Sequence, residues 1–280
     1  MKIAKPILPL LIIIAMLWNP LFAVQADFLS MDTVKLENPI TVNYLKRHLK
    51  KSGPKLALTP ALERNLKRKI KSDPLVRNYY NALKANADDV LTMPVLTRNV
   101  IGRRLLGTSR DMLHRVNVLG IAYLIEKDKK YLDKINEEVI AVSNFSDWNP
   151  SHFLDVAEMD WVGDDLPAAT VKLAKEALIQ KGIEPSWNGN KGRMYGTNNW
   201  NQVCNAGMIA ASLVIADQDI ELAAKTIHRS LDGIPNGLMQ YGPDGAYPEG
   251  STYWGYGTAF TVLTSAMLKT AFKTDFGIGD

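Results

Sequence analysis

Thr108–Ser143, TSRDMLHRVNVLGIAYLIEKDKKYLDKINEEVIAVS, is the stretch that decides the fold. Met112, Leu113, Val116, Leu119, Gly120, Tyr123 and Leu124 recur at three- and four-residue intervals, the spacing of one helical face. Thr108 or Ser109 is placed to cap this helix. After a short turn of Lys and Asp, Tyr131, Ile135, Val139 and Val142 give a second stripe, so the pair reads as an antiparallel helical hairpin. Working outward, the same period predicts helices over 62–70, 75–91, 167–181, 198–217, 220–231 and 257–272. Strand signals are scarce. Long loops rich in Gly, Pro, Trp and Asn fall at 145–152, 183–198 and 233–256, and long loops are where function concentrates. The expected class is all-α, as an α/α toroid of antiparallel helical hairpins whose inner helices ring a cleft. A plain helical bundle is the alternative.

The first residues read as an export signal. Lys2 and Lys5 precede an apolar run from Ile7 to Trp18, and Val24-Gln25-Ala26 offers residues suited to a signal peptidase. The run is shorter than the roughly 20 residues of a permanent bilayer span. Cleavage near Ala26 is expected, giving a periplasmic or secreted protein that meets the membrane only through its signal peptide. An uncleaved anchor is the alternative. Residues 27–55 read as an irregular N-terminal segment, and 56–280 as the helical domain.

Removing residues 1–26 takes away Lys2 and Lys5 and no acid, so the net charge falls from +4 to +2. That balance, without a dense basic stripe, argues against a nucleic-acid partner. Cys204 is the single cysteine, so no internal disulfide can form. The 4 histidines show no metal-ligand spacing with it, and neither a metal nor a cofactor is implied.

Two segments carry chemistry. Tyr195-Gly-Thr-Asn-Asn-Trp-Asn-Gln-Val-Cys-Asn-Ala-Gly-Met runs from a glycine-bearing loop into a helix with small residues on one face. Thr197 or Asn198 is placed to cap that helix. Asn198, Asn199, Asn201 and Gln202 set amides beside the indole of Trp200, a combination suited to binding a sugar by hydrogen bonds and stacking. Gly242-Pro-Asp-Gly-Ala-Tyr-Pro-Glu-Gly-Ser-Thr-Tyr-Trp-Gly-Tyr-Gly is a turn-rich loop dense in aromatic groups. Tyr247 and Trp254 suit plugs that pin such a loop to the helices, whereas Tyr253 and Tyr256 are candidates for chemistry.

GTNNWNQVCNAGM, DGAYPEGSTYWGYGTAF and the earlier DWNPSHFLDVAEM resemble the heparinase II/III-like family of polysaccharide lyases and uronyl epimerases, over roughly residues 95–275. The resemblance implies an incomplete α/α toroid followed by a C-terminal β-sandwich, and the expectation is that this chain, ending at Asp280, lacks the sandwich. It also implies β-elimination at a uronic acid. A base removes the C5 proton and the C4 oxygen leaves with help from an acid. The sugar carboxylate repels the charge that develops beside it, so an amide donor such as Asn199 would stabilise the enolate-like transition state. Tyr256 would transfer the proton, with Arg103, Arg104 and Arg193 as sources of positive charge that favour its phenolate. Many family members carry His after the asparagine that matches Asn199, where this chain has Trp200. The alternatives are Tyr256 as both base and acid, His152 as the replacement base, or binding without cleavage. His152 reads equally as a loop histidine held for structure. Trp200, Asn201, Gln202, Tyr253, Trp254, Glu249, Arg103 and Arg104 complete the expected contacts to an anionic, uronate-containing polysaccharide. The carboxylate pairs Asp155/Glu158 and Asp244/Glu249 raise glycoside hydrolysis as a further alternative, although such pairs commonly serve as caps and turn residues.

Overall fold

Thr59-Pro60 and Asp73-Pro74 each place a side-chain acceptor directly before a proline, the arrangement that opens a helix without wasting a backbone donor. Thr59 accepts from the Leu62 amide, and Asp73 from those of Leu75 and Val76. The computed structural model describes residues 35–148, 159–188 and 192–279. The expected signal peptide with its cleavage site, and most of the DWNPSHFLDVAEM motif, including His152, Asp155 and Glu158, lie outside the described residues.

The described secondary structure is helical. In order come α1 (Val42–His48), α2 (Pro60–Ser72), α3 (Pro74–Thr92), α4 (Leu106–Glu126), α5 (Lys129–Ser143) and α6 (Met159–Val162). They are followed by α7 (Ala168–Ala177), α8 (Glu184–Asn188), α9 (Asn199–Ile215), α10 (Ile220–Leu238) and α11 (Ser251–Phe272). Among the described residues no strand forms beyond a single antiparallel bridge between Ile101 and Arg104. None of the described helices is long and apolar enough to cross a membrane.

Consecutive helices pack on one another in the pairs α2 on α3, α3 on α4, α4 on α5 and α9 on α10, while α5 on α7 and α9 on α11 each pass over one helix. The stripes read from the sequence supply the core. Met112, Val116 and Leu119 of α4 meet Tyr131, Ile135 and Val139 of α5 in one apolar cluster with Ile209, Leu213, Ile227 and Leu268. Each such side chain taken fully from water contributes about 1.5–3 kcal/mol.

Several boundaries differ from the sequence expectation, each for a local reason. Helix α4 begins at Leu106, so neither Thr108 nor Ser109 caps it. The Thr108 hydroxyl is turned inward to the Asn99 carbonyl at 3.2 Å. The segment 27–55 is not wholly irregular, because α1 forms with Thr41 accepting from the Tyr44 amide. Tyr44 of α1 then sits against Phe272 and Phe276 at ring-centroid distances of 6.0 and 6.1 Å, which ties the start of the domain to its end.

The helix expected to stop at 181 continues as a π-helical turn, Leu178–Ile183, and then as α8. The wide turn ends two residues before Pro185, whose ring nitrogen cannot donate to the helix. Helix α10 likewise runs past the expected end at 231 to Leu238, carrying Pro235 inside it. Helix α11 starts at Ser251 rather than 257, so the aromatic segment after Gly250 is helical and only 242–250 is loop.

Candidate binding and catalytic site

The start of α9 is capped twice. Asn198 has extended backbone, and its Oδ1 accepts from the Trp200 amide at 3.2 Å. The next backbone donor, Asn199 N–H, goes to Glu249 Oε2 at 2.6 Å. The Asn199 side chain donates to the same carboxylate, with Nδ2 at 2.9 Å from both Oε1 and Oε2. Glu249 therefore brings its negative charge to the positive end of α9, where the helix dipole and a free N–H both favour it. The two N–H bonds of an amide diverge too widely for both to point at one carboxylate, so one remains for another acceptor.

Glu249, expected to touch substrate, is exposed and holds Asn199, because its charge is matched to the helix terminus. Glu249→Gln is expected to lower stability by roughly 1 kcal/mol, the scale of a lost charged cap, with a correspondingly lower thermal midpoint. An unchanged midpoint would show that the cap contributes nothing.

Asn201 and Gln202 also differ from expectation. Asn201 is fully buried at 0 % exposure, and its Nδ2 bridges the carbonyls of Met194 and Gly233 at 3.1 and 2.8 Å. Gln202 is 2 % exposed, and with its amide nitrogen toward the helix start it donates to the Asn198 and Asn199 carbonyls at 3.0 and 3.2 Å. Neither lines the cavity that holds Asn199 and Trp200. Residues two and three positions past Asn199 turn on to other faces of α9, and those faces meet α10 and α11.

Helix α11 delivers the aromatic groups. Tyr241 stacks on Tyr247 at 4.6 Å and meets Trp254 edge-on at 6.4 Å, while Trp254 Nε1 donates to the Gly245 carbonyl at 2.9 Å. These three rings pin the 242–250 loop. Burial pushes the Tyr247 phenol up to about 12, so it stays protonated and is unsuited to act as a base. Trp254, although 44 % exposed, is committed to the loop and lies outside the cavity described next.

Tyr253 and Tyr256 lie three residues apart on the other side of α11 and line a cavity of about 150 Å³. Asn199 and Trp200 of α9 line it too, with Arg104 from the turn before α4 and Arg110 from its first turns. Trp200 carries the Arg193 guanidinium 5.0 Å from its ring centroid, and Tyr256 packs edge-on against Phe260 at 5.1 Å. Five residues singled out from three separate segments, Arg104, Asn199, Trp200, Tyr253 and Tyr256, thus share one wall-to-wall space. Arg103 does not line it.

Arg110 is a cavity residue that the sequence alone did not single out. Its signal was the spacing Leu106, Ser109, Arg110 and Leu113, one face of α4, all four of which line the cavity. The described lining contains two arginines, two phenols and an amide, and no histidine or carboxylate. Such a set can hold an anion, hydrogen-bond hydroxyl groups and stack a ring. Among the described residues no cluster of three or more metal-ligating side chains occurs.

Compared with models of known families and with curated proteins, the chain matches none. The site therefore rests on its own geometry.

Proposed function

We propose that the chain is an exported polysaccharide lyase-like protein that acts by β-elimination on a uronate-containing chain bound at the cavity between α4, α9 and α11. The observation that carries this reading is the convergence of Arg104, Arg110, Asn199 and Tyr256 on one cavity. In it the arginines attract the acidic chain, and the amide N–H of Asn199 left over from Glu249 stabilises the uronate carboxylate as C5 loses its proton. Tyr256 accepts that proton as phenolate and returns a proton to the departing C4 oxygen, so base and acid act from one side of the ring. Positive charge from the arginines favours the phenolate. The proposed architecture is the α/α toroid, supported by the run of sequentially packed helices and by a cavity at the shared ends of α4, α9 and α11.

Incubation of the purified protein with alginate, heparan and chondroitin is expected to give an unsaturated product that absorbs in the ultraviolet. New reducing ends without that absorbance would mean hydrolysis and would overturn the reading.

A second reading, glycan binding without cleavage, has its own observation. The described lining has no histidine and no carboxylate to serve as the base. Under that reading one of these polysaccharides binds and no absorbance develops.

A further inference from the structure

Arg229 of α10 is 7 % exposed, yet the described residues provide it with no carboxylate. Its Nη1 donates to the Ser186 carbonyl at 3.0 Å and its Nη2 to the Ser186 hydroxyl at 2.7 Å, while Nε has no hydrogen-bond partner. A guanidinium carries five N–H donors in a plane. Ser186 takes the end of the fork, which leaves the side edge, formed by Nε–H and one Nη–H, with the spacing of a carboxylate's two oxygens. Burial of a charge without a counter-charge is costly. The cost is met in part by the Trp187 ring, whose centroid lies 3.9 Å from the guanidinium. Desolvation accordingly pushes Arg229 below the ordinary guanidinium range.

Arg229, Trp187 and Tyr195 line a cavity of about 680 Å³, separate from the Asn199 cavity and sharing no residue with it. That volume suits a small ligand. The wall also holds Lys225, itself 5.2 Å from the Trp187 centroid, and two acids, Glu221 and Asp232. Asp232 is held by Asn38 at 2.6 Å and lies 3.4 Å from His228. The two acids offset the two permanent cations, so a doubly charged phosphate or sulfate meets no surplus positive charge there. They also present acceptors for hydroxyl groups, and Tyr195, 39 % exposed, offers an aromatic surface.

We propose that this cavity is a binding site for a monocarboxylate bearing hydroxyl groups, of sugar-acid size, with Arg229 holding the carboxylate and Glu221 and Asp232 accepting from the hydroxyls. The site stands apart from the lyase reading and needs no elimination chemistry. Titration of the full chain with D-glucuronate, followed by calorimetry and by tryptophan fluorescence, is expected to saturate. Glucose and inorganic sulfate are expected to bind at least tenfold more weakly. Arg229→Gln should abolish binding. Lys225→Glu, on an exposed residue whose replacement leaves the fold intact, should weaken it at least tenfold, so the test holds even if the arginine variant fails to fold. Trp187→Phe should remove the fluorescence change. Saturation that is equal for sulfate, or absent altogether, overturns the proposal. Glucuronate binding lost in Asn199→Ala and retained in Lys225→Glu would assign the ligand to the other cavity and overturn it equally.

Discussion

Gly233→Ala is expected to destabilise the protein by about 3 kcal/mol, the upper end of what overpacking costs. Helix α10 crosses α9 and the 193–198 loop with no room at this position. A Cβ at Gly233 would be driven into the carbonyl oxygen of Met194, and it would stand 3.2 Å from the Met194 carbonyl carbon and 3.3 Å from Asn205 Nδ2. The obstacle is backbone, so it cannot swing aside. The same carbonyl also accepts from Asn201 and Asn205, at 3.1 and 2.9 Å, and moving it breaks two buried hydrogen bonds. For a chain of this size the loss corresponds to a fall in thermal midpoint of roughly 6–12 °C.

Gly255→Ala is the control. It lies inside α11 with nothing within 4 Å of a built Cβ, and alanine there should stabilise the helix by about 0.5–1 kcal/mol. Equal effects of the two substitutions would refute the close approach of α10 to the Met194 backbone.

Tyr256→Phe is expected to lower turnover of a uronate polysaccharide by about a thousandfold, within the range of general acid–base catalysis, while leaving binding and folding unchanged. The substitution removes only the hydroxyl. The ring keeps its edge-on contact with Phe260 at 5.1 Å, and its 38 % exposure means that little packing depends on it. The comparison that gives the result meaning is Tyr253→Phe, on the same cavity wall, which should change turnover less than tenfold. If the two variants behave alike, Tyr256 is not the proton-transfer group. If Tyr256→Phe alters binding and turnover equally, its hydroxyl contacts the bound chain in the ground state and contributes nothing specific to the transition state.

How much of the site was legible depended on whether a residue's role is local or distant. Asn198 as a cap was readable because a cap needs only the residues that follow it. Tyr247 and Trp254 as loop anchors were readable because aromatic rings beside glycines have few other uses. Asn201 was not. An asparagine two positions beyond Asn199 looks the same in sequence whether it faces solvent or two buried carbonyls, and only the approach of Gly233 and Gly237 decides between them. Glu249 as the partner of Asn199 was not readable either, for a related reason. Its partner Asn199 is 50 positions away, a separation that no periodic pattern reports.

By itself the sequence determined the helical class, the α4–α5 pair and the order of most helices, because those follow from apolar spacing and caps within a few residues. It also marked Asn199 and Tyr256. The tertiary structure alone decided that Arg104 and Arg110 share a cavity with them, that Glu249 holds the Asn199 amide, and that Arg229 is buried without a carboxylate. Each of these depends on which ends of separate helices meet, and that is set by the packing of whole faces. Local pattern fixes where a helix runs, while the contacts between helices fix what its side chains can touch.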